Sequence, residues 1–144
     1  SIEFIQKPIK NLCIHINTQT PERKDESRRA ILEIYDKLLD VFDKIYIIGK
    51  ESDRSEYIEF LNNNKTFILD DCGDLNKTVE MLSESILVGT YGSMWALADC
   101  MKIKQVTIVD AMDGHVGKQS YSNNIWVMAD DTKTLLSVIV SLRD

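Results

Sequence analysis

The sequence predicts a doubly wound α/β fold: a mostly parallel six-stranded sheet with helices on both faces. Three observations predict it. Short apolar runs recur along the whole chain, and longer segments with helical periodicity separate them. The runs are unbroken, as in strands buried on both faces, and their alternation with helices implies parallel strands joined by right-handed crossovers.

Asn11-Leu-Cys-Ile-His-Ile16 is the first strand. From Glu26 to Phe42, Ile31, Ile34, Tyr35, Leu38, Leu39 and Phe42 fall on one helical face, which predicts a single helix. Lys44 to Ile48 is an apolar strand ended by Gly49. A helix is expected over Ser52 to Asn62, stopped by the Asn62-Asn63-Asn64 run. Thr66 to Leu69 reads as the third strand, and Asp74 as the cap of a helix carrying Leu75, Val79 and Leu82. Then follow a strand from Ile86, a turn at Gly89 to Ser93, an apolar helix and a strand at Lys104 to Val109. Asn124 to Met128 is the sixth strand, and Asp131 to Leu142 the last helix.

With 144 residues, 44% of them hydrophobic, the chain can build one ordinary core. Residues 1–10, with Pro8 and a weak apolar pattern, read as an arm or a cut linker, and residues 11–144 as a single domain. The net charge is −6 and the basic residues are scattered, so nucleic acid and anionic membranes are not expected as main partners. No run approaches the roughly 20 apolar residues of a membrane span, and no leader pattern opens the chain, so a cytoplasmic protein is expected. Cys13, Cys72 and Cys100 form no metal-ligand spacing; reduced, mostly buried thiols are expected.

In such a sheet the ligand crevice lies beyond the C-terminal ends of the strands, where the strand order reverses. The loop after the first strand contains no glycine, which excludes a dinucleotide fingerprint or a P-loop. It offers Asn17, Thr18 and Lys24, donors suited to a diphosphate or a sugar; the plain alternative is an ordinary polar loop. At Gly89-Thr-Tyr-Gly-Ser93, glycines allow close backbone approach, and the amides opening the next helix can seat an anion. Here the alternative is a strand-to-helix turn with Ser93 as N-cap. The loop Asp110 to Gln119 reads as a polar flap over the crevice, with His115 or Lys118 reaching a phosphate, and its acid spacing matches no metal cage. His15 is expected to be a packed histidine. No GxSxG elbow or Cys/His pairing supports an independent hydrolase.

The order of these features resembles the C-terminal, donor-binding half of a GT-B glycosyltransferase, and is most similar to the bacterial heptosyltransferase group, glycosyltransferase family 9. The resemblance rests on Cys13-Ile-His-Ile-Asn-Thr-Gln19, Ile47-Ile-Gly-Lys-Glu-Ser-Asp53, Val88-Gly-Thr-Tyr-Gly-Ser-Met-Trp-Ala-Leu-Ala98, Lys104 to Val109 and Gly117-Lys-Gln-Ser-Tyr121, and covers about residues 11–130. Many members carry an acid, a glycine and a histidine where Tyr91, Ser93 and Ala96 stand here. The resemblance implies a Rossmann-like nucleotide-sugar-binding domain. In it Asn17, Thr18, Lys24, Thr90, Tyr91, Gly92, Ser93 and Met94 address the donor phosphates, and Gly49, Lys50 and Glu51 lie near the nucleoside.

It implies a hexosyl- or heptosyl-transferase that takes the nucleotide sugar as substrate, with no cofactor and no metal. The acceptor would be bound by an N-terminal domain, and the 144 residues alone would be inactive. Two other classes stand beside this one. The first is a non-enzymatic interaction or regulatory module of the same fold that has lost the donor site. The second is a small nucleoside-processing enzyme using Asp70, Asp71 or Asp110 as a nucleophile.

Overall fold

A computed structural model describes residues 7–16, 21–70, 74–109 and 124–143. Six strands form one sheet: β1 (Asn11–His15), β2 (Lys44–Gly49), β3 (Thr66–Asp70), β4 (Ser85–Gly89), β5 (Gln105–Val109) and β6 (Asn124–Met128). Their order is β3-β2-β1-β4-β5-β6, and every neighbouring pair is parallel. The sheet is therefore wholly parallel and Rossmann-like. β1, β4 and β5 are buried along their whole length, which is why they read as unbroken apolar runs.

The chain leaves β1 toward β2 on one side and passes from β4 to β5 on the other, so right-handed crossovers put the connecting helices on opposite faces. α1 (Pro21–Glu33), α2 (Tyr35–Val41) and α5 (Thr132–Arg143) cover one face. Their Ala30, Ile31, Leu38, Leu135 and Ile139 pack with Leu12, Ile14, Ile45, Ile47, Ile86 and Val106. α3 (Leu75–Ser83) and α4 (Ser93–Cys100) cover the other, where Leu82, Met94, Ala98 and Met101 meet Cys13, Ile48, Leu69 and Leu87. Alternate strand residues feed the two cores, as the period of 2 requires.

Asp74 caps α3 as expected, its carboxylate accepting the Lys77 amide at 3.1 Å. Two helices differ from expectation. The predicted 26–42 helix starts earlier, at Pro21, where a missing amide hydrogen costs nothing in a first turn. It also breaks at Ile34, where the Ile34 and Lys37 amides bond to carbonyls three residues back. Beyond the break, the Tyr35 hydroxyl lies 2.6 Å from Thr66 Oγ1 and ties α2 to the head of β3.

The second difference follows β2. In place of an α-helix over 52–62 there is a 3₁₀ helix at Glu51–Tyr57, and the Phe60 amide then donates to the Tyr57 carbonyl. Ser52, Asp53 and Ser55 favour side-chain bonds to nearby backbone over a regular α-helix. Three residues per turn bring Tyr57 and Phe60 to the same side, and both are buried.

The Cys13 thiol is fully buried, and burial pushes its pKa up to about 12, so it stays protonated. Cys100, at the end of α4, is exposed, while Cys72 lies outside the described residues. Among the described residues no helix is long and apolar enough to cross a membrane.

Candidate nucleotide site at the strand ends

The strand order reverses at β1, whose neighbours β2 and β4 are entered from opposite faces. Its C-terminal end borders two openings of unlike character. Between the ends of β1 and β2 lies a cleft of about 440 Å³. Beside the end of β4, the space under Trp95, bounded by His15, Gly89, Thr90 and the β5 residues Gln105, Val106 and Thr107, has no room for a water molecule.

The cleft is built from three elements. The end of β1 contributes His15 and the residue after it, Ile16; β2 contributes Ile48 and Gly49, and the following turn and 3₁₀ helix contribute Lys50, Ser52, Asp53 and Tyr57. Lys24, in the second turn of α1, closes one wall. Its ammonium is 2.7 Å from Glu56 Oε2, and this hydrogen-bonded contact raises the lysine pKa above its ordinary value, so the cation is permanent. Tyr57 is raised as well, chiefly by burial, and remains a neutral phenol. A fixed cation, a carboxylate at Asp53, a hydroxyl at Ser52 and an aromatic edge can hold a charged, hydroxyl-bearing ligand.

At the end of β4 the backbone lies close against β1. A Cβ placed on Gly89 would lie 1.9 Å from the His15 carbonyl oxygen, and the Thr90 amide donates to that oxygen at 3.1 Å. Gly89 therefore serves contact between β4 and β1, a role that the reading of it as a ligand-approach glycine did not foresee. Gly49 is different: a Cβ there would meet Tyr57 Cε2 at 3.9 Å, an ordinary contact.

Beyond the gap, aromatic rings fill the turn. Tyr91 packs on Trp95 with ring centroids 4.8 Å apart and stacks on Trp126 at 6.4 Å; Trp95 is buried while Tyr91 is half exposed. Gly92 occupies the N-cap of α4 in extended backbone, and no side chain caps the helix there. The Met94 side chain lies in the apolar core with Ala98 and Met101, so only its amide can meet a ligand.

The expected site residues thus divide. Lys24, Gly49 and Lys50 converge on the cleft. Thr90 is buried beside the closed gap, and Tyr91 belongs to the ring cluster. Glu51 lies outside the cleft lining, and its carboxylate pairs with Arg54, whose Nε donates to it at 2.7 Å. Asn17, Thr18, His115 and Lys118 lie outside the described residues. Ser52, Asp53 and Tyr57 were not singled out. The first two lie in a loop marked by its position after β2, whereas Tyr57 needs the 3₁₀ geometry to reach the cleft. Among the described residues no group of three or more His, Cys, Asp or Glu is placed to hold a metal ion.

No protein-family model matches the chain, and no curated protein matches it. Among solved structures it is similar to UDP-GlcNAc 2-epimerase from Methanocaldococcus jannaschii, with a TM-score of 0.64 over 91% of this chain at 15% identity. The chain spans 39% of the length of that protein. The likeness shows the Rossmann-like fold.

Proposed function

We propose that this chain is a nucleotide-sugar-binding domain that holds a nucleoside diphosphate in the β1–β2 cleft and works as one half of a larger enzyme. The observation that carries the reading is the cleft itself. It sits at the C-terminal ends of parallel strands next to the topological switch point, has the volume of a small-molecule site, and is walled by Lys24, Asp53 and Tyr57. The UDP-sugar chemistry named for the solved structure of like fold supports the same ligand class, and the chain's 39% share of that structure supports a second domain.

In its specific form the reading is the donor domain of a GT-B glycosyltransferase, with an acceptor-binding domain opposite. Lys24 and backbone amides would then stabilise the diphosphate leaving group electrostatically. Calorimetric titration of the 144-residue chain with UDP, ADP, GDP and CMP sugars tests it. Saturable binding of one nucleotide class is expected, with no sugar transfer or epimerisation by the chain alone. A folded sample that binds none of them at millimolar concentration rejects the nucleotide reading and leaves the non-enzymatic module.

A further inference from the structure

Lys24 stands on a wall shared by two openings. One is the cleft at the ends of β1 and β2; the other is a groove of about 380 Å³ between α1 and the 3₁₀ helix, which Glu56 and Glu59 also line. In that groove each charged side chain is already paired. Arg28 bridges Asp25 at 2.8 Å and Glu59 at 2.7 Å, and Lys24 bridges Glu56 at 2.7 Å. The Lys24 side chain is 35% exposed and that of Glu56 is 47% exposed, so the pair can part without uncovering core. An ammonium has three diverging hydrogens, but an anion taking one of them from the cleft side would come close enough to the Glu56 carboxylate to be repelled by it.

Resting on the nucleotide reading above, we propose that Glu56 is an internal anion that holds Lys24 until the phosphates of a nucleoside diphosphate displace it, so that Glu56 sets the affinity of the cleft. An acidic residue outside the cleft thereby becomes an affinity determinant. Its effect has the size of an exposed ion pair.

The test is the UDP dissociation constant by calorimetry for the wild-type chain, Glu56→Gln, Glu59→Gln, Lys24→Gln and the Lys24→Gln/Glu56→Gln double variant, each checked for folding by its melting curve. Glu56→Gln is expected to tighten binding about two- to fivefold, the range of an exposed ion pair. Glu59→Gln removes the same charge from the same groove but leaves Lys24 paired, and is expected to change nothing. In the Lys24→Gln background the gain disappears.

Equal affinities of wild type and Glu56→Gln overturn the inference while leaving the nucleotide reading intact. Equal tightening by Glu59→Gln also overturns it, because net charge would then explain the gain. UDP binding by none of the five proteins overturns the inference for a uridine nucleotide, while the nucleotide reading falls only if the other nucleotide sugars fail to bind as well.

Discussion

At the C-terminal edge of the sheet, the ends of β1 and β2 leave about 440 Å³ open, while at the end of β4 the space under Trp95, floored by β4 and β5, has no room for a water molecule. The first opening is walled by an ion-paired lysine, a carboxylate and a phenol. The second is sealed by a backbone contact at Gly89 and continued by the Tyr91, Trp95 and Trp126 rings. Two glycines in equivalent places, Gly49 and Gly89, make the contrast concrete. Both end a strand, yet only the one in β4 sits where a side chain would collide with backbone. A glycine at a strand end is thus ambiguous by sequence, since it can admit a ligand or a neighbouring strand, and the packing decides between them.

The largest effect that separates the regions is on stability. Gly89→Ala is expected to destabilise the fold by about 3 kcal/mol or more, because β1 and β4 must separate to admit the methyl group, whereas Gly49→Ala should stay within about 1 kcal/mol of wild type. Urea denaturation followed by circular dichroism measures both. Equal losses at the two positions would erase the distinction between sealed and open strand ends.

A smaller effect falls on ligand affinity. Removing the cleft's fixed cation with Lys24→Gln is expected to weaken UDP binding about tenfold, near 1.4 kcal/mol, the lower range for a charged hydrogen bond. Calorimetry decides it, and an unchanged affinity would remove Lys24 from the site. Least of all should change in Tyr91→Ala. Its ring is half exposed, so the aromatic cluster loses one edge, and UDP affinity should move by less than about twofold, about 0.4 kcal/mol. A tenfold loss there would shift the site from the cleft to the β4 turn.

Much of the fold was legible because both faces of the sheet are covered. Strands buried on both sides are predominantly apolar, and the runs at Leu12, Ile45, Ile86 and Val106 mark them without any knowledge of their neighbours. Asp74 was readable as a cap for the same local reason. What periodicity missed depends on contacts made at a distance. The break at Ile34 goes with the tie between Tyr35 and Thr66, residues 31 apart, and the 3₁₀ helix with the burial of Tyr57 and Phe60.

The site was legible by position and not by side chain. Lys24, Gly49 and Lys50 line the cleft, and sequence marks them by their place just after β1 or at the end of β2. What sequence does not tell is that the Met94 side chain turns into the core, leaving its amide, and that the Glu51 carboxylate pairs with Arg54. The aromatic character of the β4 turn was visible in Tyr91 and Trp95, but its third member, Trp126, lies on β6 and joins only through the sheet order.

The central claim is that a nucleoside diphosphate enters the β1–β2 cleft and not the β4–α4 turn. Amide chemical shifts followed by NMR during a UDP titration test this most directly, because both regions report in one experiment. The account predicts saturable shifts at Gly49, Lys50, Asp53 and Tyr57, with Tyr91, Gly92 and Ala96 nearly still. Shifts confined to Tyr91 through Ala96, or none up to millimolar UDP in a folded sample, would contradict it.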